Sequence, residues 1–383
     1  MRNGAKEYQG TRAIVPAIRP MPPPIVLFVF GTRPEAIKLA PLINELRQDA
    51  ESFDVRVCVT GQHREMLDQA LQLFGITPDI DLGLMQPDQD LATFAASVLT
   101  AVRGVIEACA PQLVIVQGDT TSAMAAALAA FYAGVPVAHV EAGLRSGDVG
   151  APWPEEANRR LTSVVARQHF APTEEAAANL RREGAKHVFV TGNTVIDALL
   201  SLRTDGVALP FLDPRLRLIL VTSHRRESFG NGLESICLAL SDLVREHDDI
   251  EIVYPVHLNP KVQEPVRRIL GAHDRVHLIE PVDYASFVAL MRRSTLILSD
   301  SGGVQEEAPS LGKAVLLMRE TTERPEAIQA GNVRLVGTNR ETIVAEASAL
   351  LRDPQRLAAM AQVRHPFGDG HAAKRIADVL RGR

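Results

Sequence analysis

Three acidic residues stand at abrupt boundaries between residues 118 and 156. Asp119 lies in Gly118-Asp119-Thr120-Thr121 and Glu141 in His139-Val140-Glu141-Ala142-Gly143-Leu144-Arg145. Glu155 lies in Pro152-Trp153-Pro154-Glu155-Glu156. Each ends an apolar run or opens a helix-like one, where a core-forming segment has no use for an acid. Carboxylates brought together push each other's proton affinity up, and one becomes a usable acid or base near neutral pH. A hard-cation site would ask for Asp-rich short spacing or nearby ligating His. Proton transfer is therefore the expected chemistry, and no metal is expected. Each acid also has a plainer use. Asp119 could cap a helix beginning at Ser122, Glu141 could pair with Arg145, and Glu155 could pair with Arg159 one turn on.

A second set of residues suits anions. Asp300-Ser301-Gly302-Gly303 follows an apolar run and precedes a helical segment over 304–311. The glycines let backbone approach a ligand, and the helix N-terminus offers N–H groups to a phosphate. The plainer alternative is a Ser or Asp cap. Glu306 and Glu307 follow at once; neither suits phosphate, but one could grip sugar or ribose hydroxyls. Ser223-His224-Arg225-Arg226-Glu227 offers a His for a phosphate or leaving oxygen, with arginines to steer charge; the alternative is a solvated basic turn. His257 is a weaker case of the same kind. Arg33-Pro34-Glu35-Ala36-Ile37 recurs as Arg324-Pro325-Glu326-Ala327-Ile328, placing an Arg beside a helix start both times. Neither Gly-x-Gly-x-x-Gly nor a P-loop is present, which disfavours dinucleotide enzymes and P-loop NTPases.

These residues need elements to position them. Short apolar runs at 25–30, 54–59, 113–117 and 136–140 read as strands, alternating with a helix that opens at Pro34 and carries Leu39, Leu42, Ile43 and Leu46 at helical spacing, and with helices at 62–74, 91–110 and 122–133. The pattern restarts with strands at 216–222, 250–254, 276–279, 295–299 and 314–318. Buried strands alternating with helices predict parallel sheets covered on both faces, hence an α/β chain of two doubly wound Rossmann-like domains. The first is expected over 25–185 and the second over 186–365, with the chain crossing near 183–192. The segment 366–383 is expected to pack its helix back on the first domain. Residues 1–24, ending in Pro22-Pro23-Pro24, read as a disordered extension, with Met21 a possible start. In such folds ligands bind beyond the carboxyl ends of the strands, where every candidate above falls.

Bulk properties agree. A chain of 383 residues exceeds one typical core. A net charge of −5 argues against a general nucleic-acid binder. Three scattered cysteines (Cys58, Cys109, Cys237) form neither a disulfide framework nor a metal knuckle and fit a reducing cytoplasm. No continuous apolar run has the length of a membrane span, and the first residues lack the apolar stretch of a secretory signal.

The motifs together resemble the bacterial non-hydrolysing UDP-N-acetylglucosamine 2-epimerase family. The resemblance rests on Gly31-Thr32-Arg33-Pro34-Glu35, Gln62-His63-Arg64-Glu65, the three acidic stretches, Thr191-Gly192-Asn193-Thr194-Val195-Ile196-Asp197, His224-Arg225-Arg226-Glu227-Ser228, Asp300-Ser301-Gly302-Gly303 and Thr322-Glu323-Arg324-Pro325-Glu326. They run in order from about residue 25 to the C-terminus.

The resemblance implies a GT-B arrangement with the active site in the cleft between domains. It implies C2 epimerisation of UDP-N-acetylglucosamine to UDP-N-acetylmannosamine by anti-elimination of UDP, a 2-acetamidoglucal intermediate and re-addition, without a cofactor. By the same resemblance Asp119, Glu141 and Glu155 are acid/base candidates, and His224 contacts the leaving diphosphate. Arg33, Ser301, Gly302 and Gly303 match phosphate positions, and Glu307 a ribose-binding carboxylate. Lys38, Phe287 and Arg324 match other ligand contacts, and Gln62, Glu65 and His257 a regulatory UDP-N-acetylglucosamine site. Val282 departs from a frequent Gln, which bears on a uracil contact. Family members are usually dimers, and the product would feed cell-envelope polysaccharide synthesis. A hydrolysing epimerase, a GT-B glycosyltransferase and a non-catalytic sugar-nucleotide sensor are the competing expectations.

Overall fold

The computed structural model of the chain describes residues 22–61, 64–86, 89–223 and 231–382, without the side chains of Arg64 and Glu65. The expected N-terminal extension lies outside these residues except for 22–24, as does Met21.

The first half runs β1 (Ile25–Phe30), α1 (Arg33–Arg47), β2 (Asp54–Val59), α2 (Arg64–Leu73), β3 (Ile80–Asp81), α3 (Leu91–Cys109), β4 (Leu113–Gln117) and α4 (Thr121–Tyr132). It continues through β5 (Val137–Val140), α5 (Glu155–Val165), β6 (Gln168–Ala171), α6 (Glu174–Arg182), β7 (Val188–Val190) and α7 (Thr194–Ser201). The second half runs β8 (Arg217–Thr222), α8 (Asn231–Glu246), β9 (Ile250–Pro255), α9 (Pro260–Leu270), β10 (Val276–Ile279), α10 (Tyr284–Arg293) and β11 (Leu296–Ser299). Then come α11 (Gly302–Ser310), β12 (Ala314–Leu317), α12 (Pro325–Gln329), β13 (Val333–Leu335), α13 (Arg340–Arg352), α14 (Pro354–Met360) and α15 (Ala372–Leu380).

The strands form two parallel sheets, ordered β3-β2-β1-β4-β5-β6-β7 and β10-β9-β8-β11-β12-β13. This is the expected pair of doubly wound units. In each, the order reverses beside the first strand. Connections on the two sides of that strand run to opposite faces and leave a crevice between β1 and β4, and between β8 and β11. The turns after those four strands carry Gly31 to Arg33, Gly118-Asp119, Ser223 and Asp300-Ser301. The crevice explains why one sheet edge collects the candidate chemistry.

Four strands were not expected: β3, β6, β7 and β13. They are two to four residues long, and β6 and β13 contain Gln168, His169 and Arg334. A buried-strand signal needs a longer unbroken apolar run. β7 pairs with β6, so the first sheet extends to Val190, past the expected boundary at 185.

α3 is long and apolar enough on average to cross a membrane. Its Phe94, Val98, Val102 and Ile106 instead bury in a cluster with Val29, Val114 and Val116 of the first sheet.

The chain passes between the sheets twice, at 191–193 and 365–371. The passages touch where Asn193 N donates to Phe367 O at 2.6 Å. Gly192, with φ +88°, allows this: a Cβ there would stand 3.1 Å from Gly368 Cα. α7 then packs on α1, α11 and α15. The C-terminal helix does fold back. Ile376 and Ala377 join the cluster that holds Leu39 and Leu42 of α1. Asp197 of α7 accepts the Ala372 and Ala373 N–H groups at 3.2 and 2.8 Å, satisfying the first turn of α15. The same cluster holds Phe28 and Phe30 of β1 with Leu218 and Leu220 of β8, so one apolar core runs through both sheets.

Candidate active site

The turn after β1 is built around Glu35, which is 1% exposed. Its Oε2 accepts from Gly31 N (3.1 Å), Thr32 N (2.8 Å) and Thr32 Oγ1 (2.8 Å), and its Oε1 from Thr120 Oγ1 (2.7 Å). Burial pushes the Glu35 carboxyl up, and these bonds oppose the push. The last bond ties the turn to the one after β4. Gly31 must lack a side chain, since a Cβ would stand 2.1 Å from Thr60 Oγ1. From this anchored turn α1 presents Arg33 and Lys38.

None of the plainer uses of the three acids is made. The cap of α4 is Thr120, which accepts from Ala123 N at 3.0 Å, and Asp119 does not cap. Arg145 pairs with Glu183, not Glu141. Arg159 pairs with Asp119 and reaches Glu156 at 3.3 Å, leaving Glu155 aside. Glu155 opens α5 with no side-chain partner among the described residues. Asp119 is positioned twice, since its backbone carbonyl also accepts from Asn158 Nδ2 at 3.0 Å. Behind it, buried His139 meets Gly118 O at 2.8 Å through Nε2. Burial lowers the His139 pKa to about 3, so it serves as a neutral strut.

Glu141 has left-handed backbone, φ +60°, which a non-glycine residue adopts only when its surroundings impose it. Its Oε2 accepts from Lys38 Nζ (2.5 Å), Gln117 Nε2 (2.8 Å) and Asn193 Nδ2 (3.3 Å). Its Oε1 accepts from no described residue. Burial raises the Glu141 pKa and the Glu306 charge adds to the rise, while Lys38 opposes it; the net direction is up.

From Lys38 a chain of alternating charge crosses between the sheets. Lys38 Nζ also reaches Glu306 Oε2 at 3.3 Å. Glu306 Oε1 accepts from Arg324 Nε at 2.6 Å, Arg324 Nη1 pairs with Glu323, and Glu323 meets Arg319 at 2.9 Å. Burial works against the Lys38 charge, but Glu141 and Glu306 more than offset it and hold its pKa above the lysine norm. For Glu306, Lys38 and Arg324 outweigh burial and hold its pKa below the usual value.

On the second sheet, Ser301 occupies the cap position of α11 without capping it, so its hydroxyl and the first N–H groups of the helix remain available among the described residues. The Arg324 guanidinium lies over Gly302. Tyr254 OH donates to Ser223 O at 2.9 Å and steadies the turn after β8. Arg33 Nη1 donates to the Val282 carbonyl at 3.3 Å, a backbone contact indifferent to the side chain there. Glu307 is buried and accepts from Tyr284 OH at 2.7 Å, and burial pushes its pKa up to about 7. Phe287 is half-buried on α10, packed against the shared core.

The fold thus brings Lys38 and Glu141 of the first sheet against Arg324 of the second, with Gly302 beneath the guanidinium. His257 is exposed on the loop after β9, its Nδ1 accepting from Asn259 N at 3.1 Å. His224, Arg225, Arg226, Glu227, Gln62 and the Glu65 side chain lie outside the described residues. Sequence reasoning singled out neither Gln117 nor Asn193 as a site residue. Asn193 stood inside a quoted motif, but nothing local marked it as an interdomain donor. A cleft of about 570 Å³ between the two chain passages, lined by Thr173, Gly192, Glu326, His365 and Arg375 among others, contains none of the expected site residues. One of about 260 Å³ opens beside Arg33 with Gln69, Leu73, Asp283 and Tyr284. The geometry favours the second, which adjoins the turn after β1.

Known proteins share this fold. A family profile described as UDP-N-acetylglucosamine 2-epimerase matches residues 44–381. The UDP-N-acetylglucosamine 2-epimerase of Escherichia coli K12 is 55% identical over 369 residues, covering 93% of this chain and 98% of that protein. The crystal structure of the UDP-GlcNAc 2-epimerase from Neisseria meningitidis bound to UDP-GlcNAc is 48% identical. It superposes with a TM-score of 0.89 over 94% of this chain and all of that one. A UDP co-structure from S. aureus, 45% identical, gives 0.89 over 94% of this chain and 96% of that one.

Proposed function

The chain belongs to the UDP-N-acetylglucosamine 2-epimerase family, of the non-hydrolysing type, and from that premise we propose that it interconverts UDP-N-acetylglucosamine and UDP-N-acetylmannosamine. The observation that carries the proposal is the Glu141–Lys38–Glu306–Arg324 chain, which sets a buried carboxylate of one sheet against a cation and a helix N-terminus of the other.

The C2 hydrogen of the sugar is weakly acidic, so its removal must be coupled to departure of the group on C1. A carboxylate takes the C2 proton as the C2–H electron pair forms the C1–C2 double bond and the C1–O pair leaves with UDP. The products are a 2-acetamidoglucal and UDP. Arg324, the open N-terminus of α11 with Ser301, Gly302 and Gly303, and His224 stabilise the charge that grows on the diphosphate. Re-addition of UDP at C1, with a proton delivered to the other face of C2, completes the inversion. Two faces need acid/base groups on two sides, which Asp119 supplies from the turn after β4 and Glu141 and Glu155 from the two ends of the β5–α5 connection. Arg33, Lys38, Phe287 and Glu307 complete the substrate contacts. Closure of the cleft would keep UDP beside the intermediate.

The exposed Phe131 and Tyr132 of α4 and Leu161 and Val164 of α5, two helices that pack together, support a homodimer. We further propose a cytoplasmic location, use of the product in cell-envelope polysaccharide synthesis, and a regulatory UDP-N-acetylglucosamine site at Gln62, Glu65 and His257. The deciding experiment is incubation with UDP-N-acetylglucosamine in D2O. The expected result is UDP-N-acetylmannosamine carrying deuterium at C2. Steady loss to free N-acetylmannosamine and UDP would instead mark a hydrolysing enzyme, and absence of exchange without an acceptor would favour a glycosyltransferase or a sensor.

A further inference from the structure

Asn193 sits where the chain passes from one sheet to the other, and its side chain is fully committed. It is 2% exposed. Its Oδ1 accepts from Val195 N at 3.1 Å and caps α7, and its Nδ2 donates to Glu141 Oε2 (3.3 Å) and Glu306 Oε2 (3.2 Å). Lys38 Nζ touches the same two oxygens. One carboxylate oxygen from each sheet is therefore held between the same two donors, one ammonium and one amide.

We propose that Asn193 and Glu306 are positioning residues for Glu141: Asn193 holds its Oε2, Glu306 competes for the ammonium they share, and together they set whether Glu141 carries its proton. This rests on the reading of Glu141 as an acid/base group at C2.

The Lys38 ammonium is the nearest positive charge to Glu141. A carboxylate with sole possession of an ammonium stays ionised, whereas one that shares it with a second carboxylate gives up part of that stabilisation. The charged groups facing Glu141 are Lys38 from α1, Glu306 from α11 and Arg324 at the start of α12; Gln117 and Asn193 add neutral donors. Gln117, Asn193 and Lys38 all engage Oε2, which favours the ionised form and leaves Oε1 to meet a proton. Of the groups in contact with Glu141, Glu306 works the other way, in the same direction as burial. Glu306 is carried by the second sheet and Glu141 by the first. The four-way contact therefore exists only while the sheets stand at this separation, which links cleft geometry to the proton balance of Glu141.

Two substitutions pull in opposite directions. Glu306→Gln removes the competing charge and gives Lys38 to Glu141, so Glu141 should titrate lower by roughly one pH unit. Asn193→Ser retains a capping oxygen for α7 but loses the amide, so Glu141 should titrate higher by roughly half a unit. The measurement is infrared titration of the carboxyl band absent from Glu141→Gln, in the wild type and both variants. Opposite shifts support the proposal, and an unmoved midpoint in both overturns it. Should Asn193→Ser fail to fold, the Glu306→Gln midpoint alone decides. In parallel, the acid limb of the pH profile for deuterium exchange at C2 should follow the titration. A wild type without exchange would defeat the epimerase reading, while the titration would still decide the roles of Asn193 and Glu306.

Discussion

The guanidinium of Arg324 lies against Gly302, so closely that a Cβ on Gly302 would stand 2.8 Å from Nη1. The bare glycine lets a cation sit beside the N-terminus of α11, where both can meet one anion.

This relationship gives the first prediction. Gly302→Ala displaces the tip of a side chain rather than backbone, so the protein should fold. UDP affinity should fall by roughly tenfold or more, as expected for a weakened charge-assisted contact, measured by calorimetry with UDP. Arg324→Ala is a poorer probe. It strands buried Glu306 and Glu323 and should lower stability as well as binding. Unchanged UDP affinity in both variants would remove Arg324 from the site.

Glu141→Gln keeps the size and most hydrogen-bonding reach of the side chain but not its proton chemistry. Turnover should drop by roughly 100-fold to 10,000-fold while UDP binding stays within a few-fold. A Gln variant that retains half the wild-type rate would move the base to Asp119 or Glu155.

His139 and His169 are buried, and burial lowers their pKa values to about 3 and about 4 from an ordinary 6.5. Folded, they bind fewer protons than unfolded below that ordinary value. The stability they lend is therefore complete above pH 6.5 and lost as pH falls through 4 and 3. His169 makes no side-chain hydrogen bond among the described residues, so His169→Leu should flatten the fall in thermal midpoint between pH 6.5 and 4. An equally steep fall in the variant would show that other groups govern acid unfolding.

Glu307 behaves oppositely. Its pKa is pushed up from 4.5 to about 7, chiefly by burial. The stability linked to it is present below pH 4.5 and lost as pH rises through 7. Glu307→Gln should thus match the wild type at pH 4.5 and exceed it by roughly 1–3 kcal/mol at pH 8. UDP binding should weaken in the same variant if the carboxylate serves the ribose. Urea midpoints at the two pH values and UDP titrations test both halves.

Gly192 combines a left-handed backbone with a near contact to Gly368. Gly192→Ala should cost about 1–3 kcal/mol, read from urea unfolding. Gly206→Ala, with open space around its Cβ and no left-handed backbone, is the control and should change little.

Sequence and tertiary structure divided the work unevenly. The predominantly apolar runs at 25–30, 54–59, 113–117 and 276–279 became strands with those bounds. A residue buried on both faces of a parallel sheet must be apolar, and that requirement is written locally. Asp119 and Glu141 were legible for the converse reason, as acids set where such runs stop. Their partners were not. Near neighbours in sequence, Arg145 and Glu155, took no part in the contacts expected of them, whereas Lys38, Arg159 and Asn193 did. Spacing along a helix says which side chains can meet, but a tertiary partner can take one away, as Asp119 takes Arg159 from Glu155 on α5. At strand ends the neighbours are fixed by the order β1-β4-β5 and by the second sheet, and that order follows from how the whole chain buries its apolar faces.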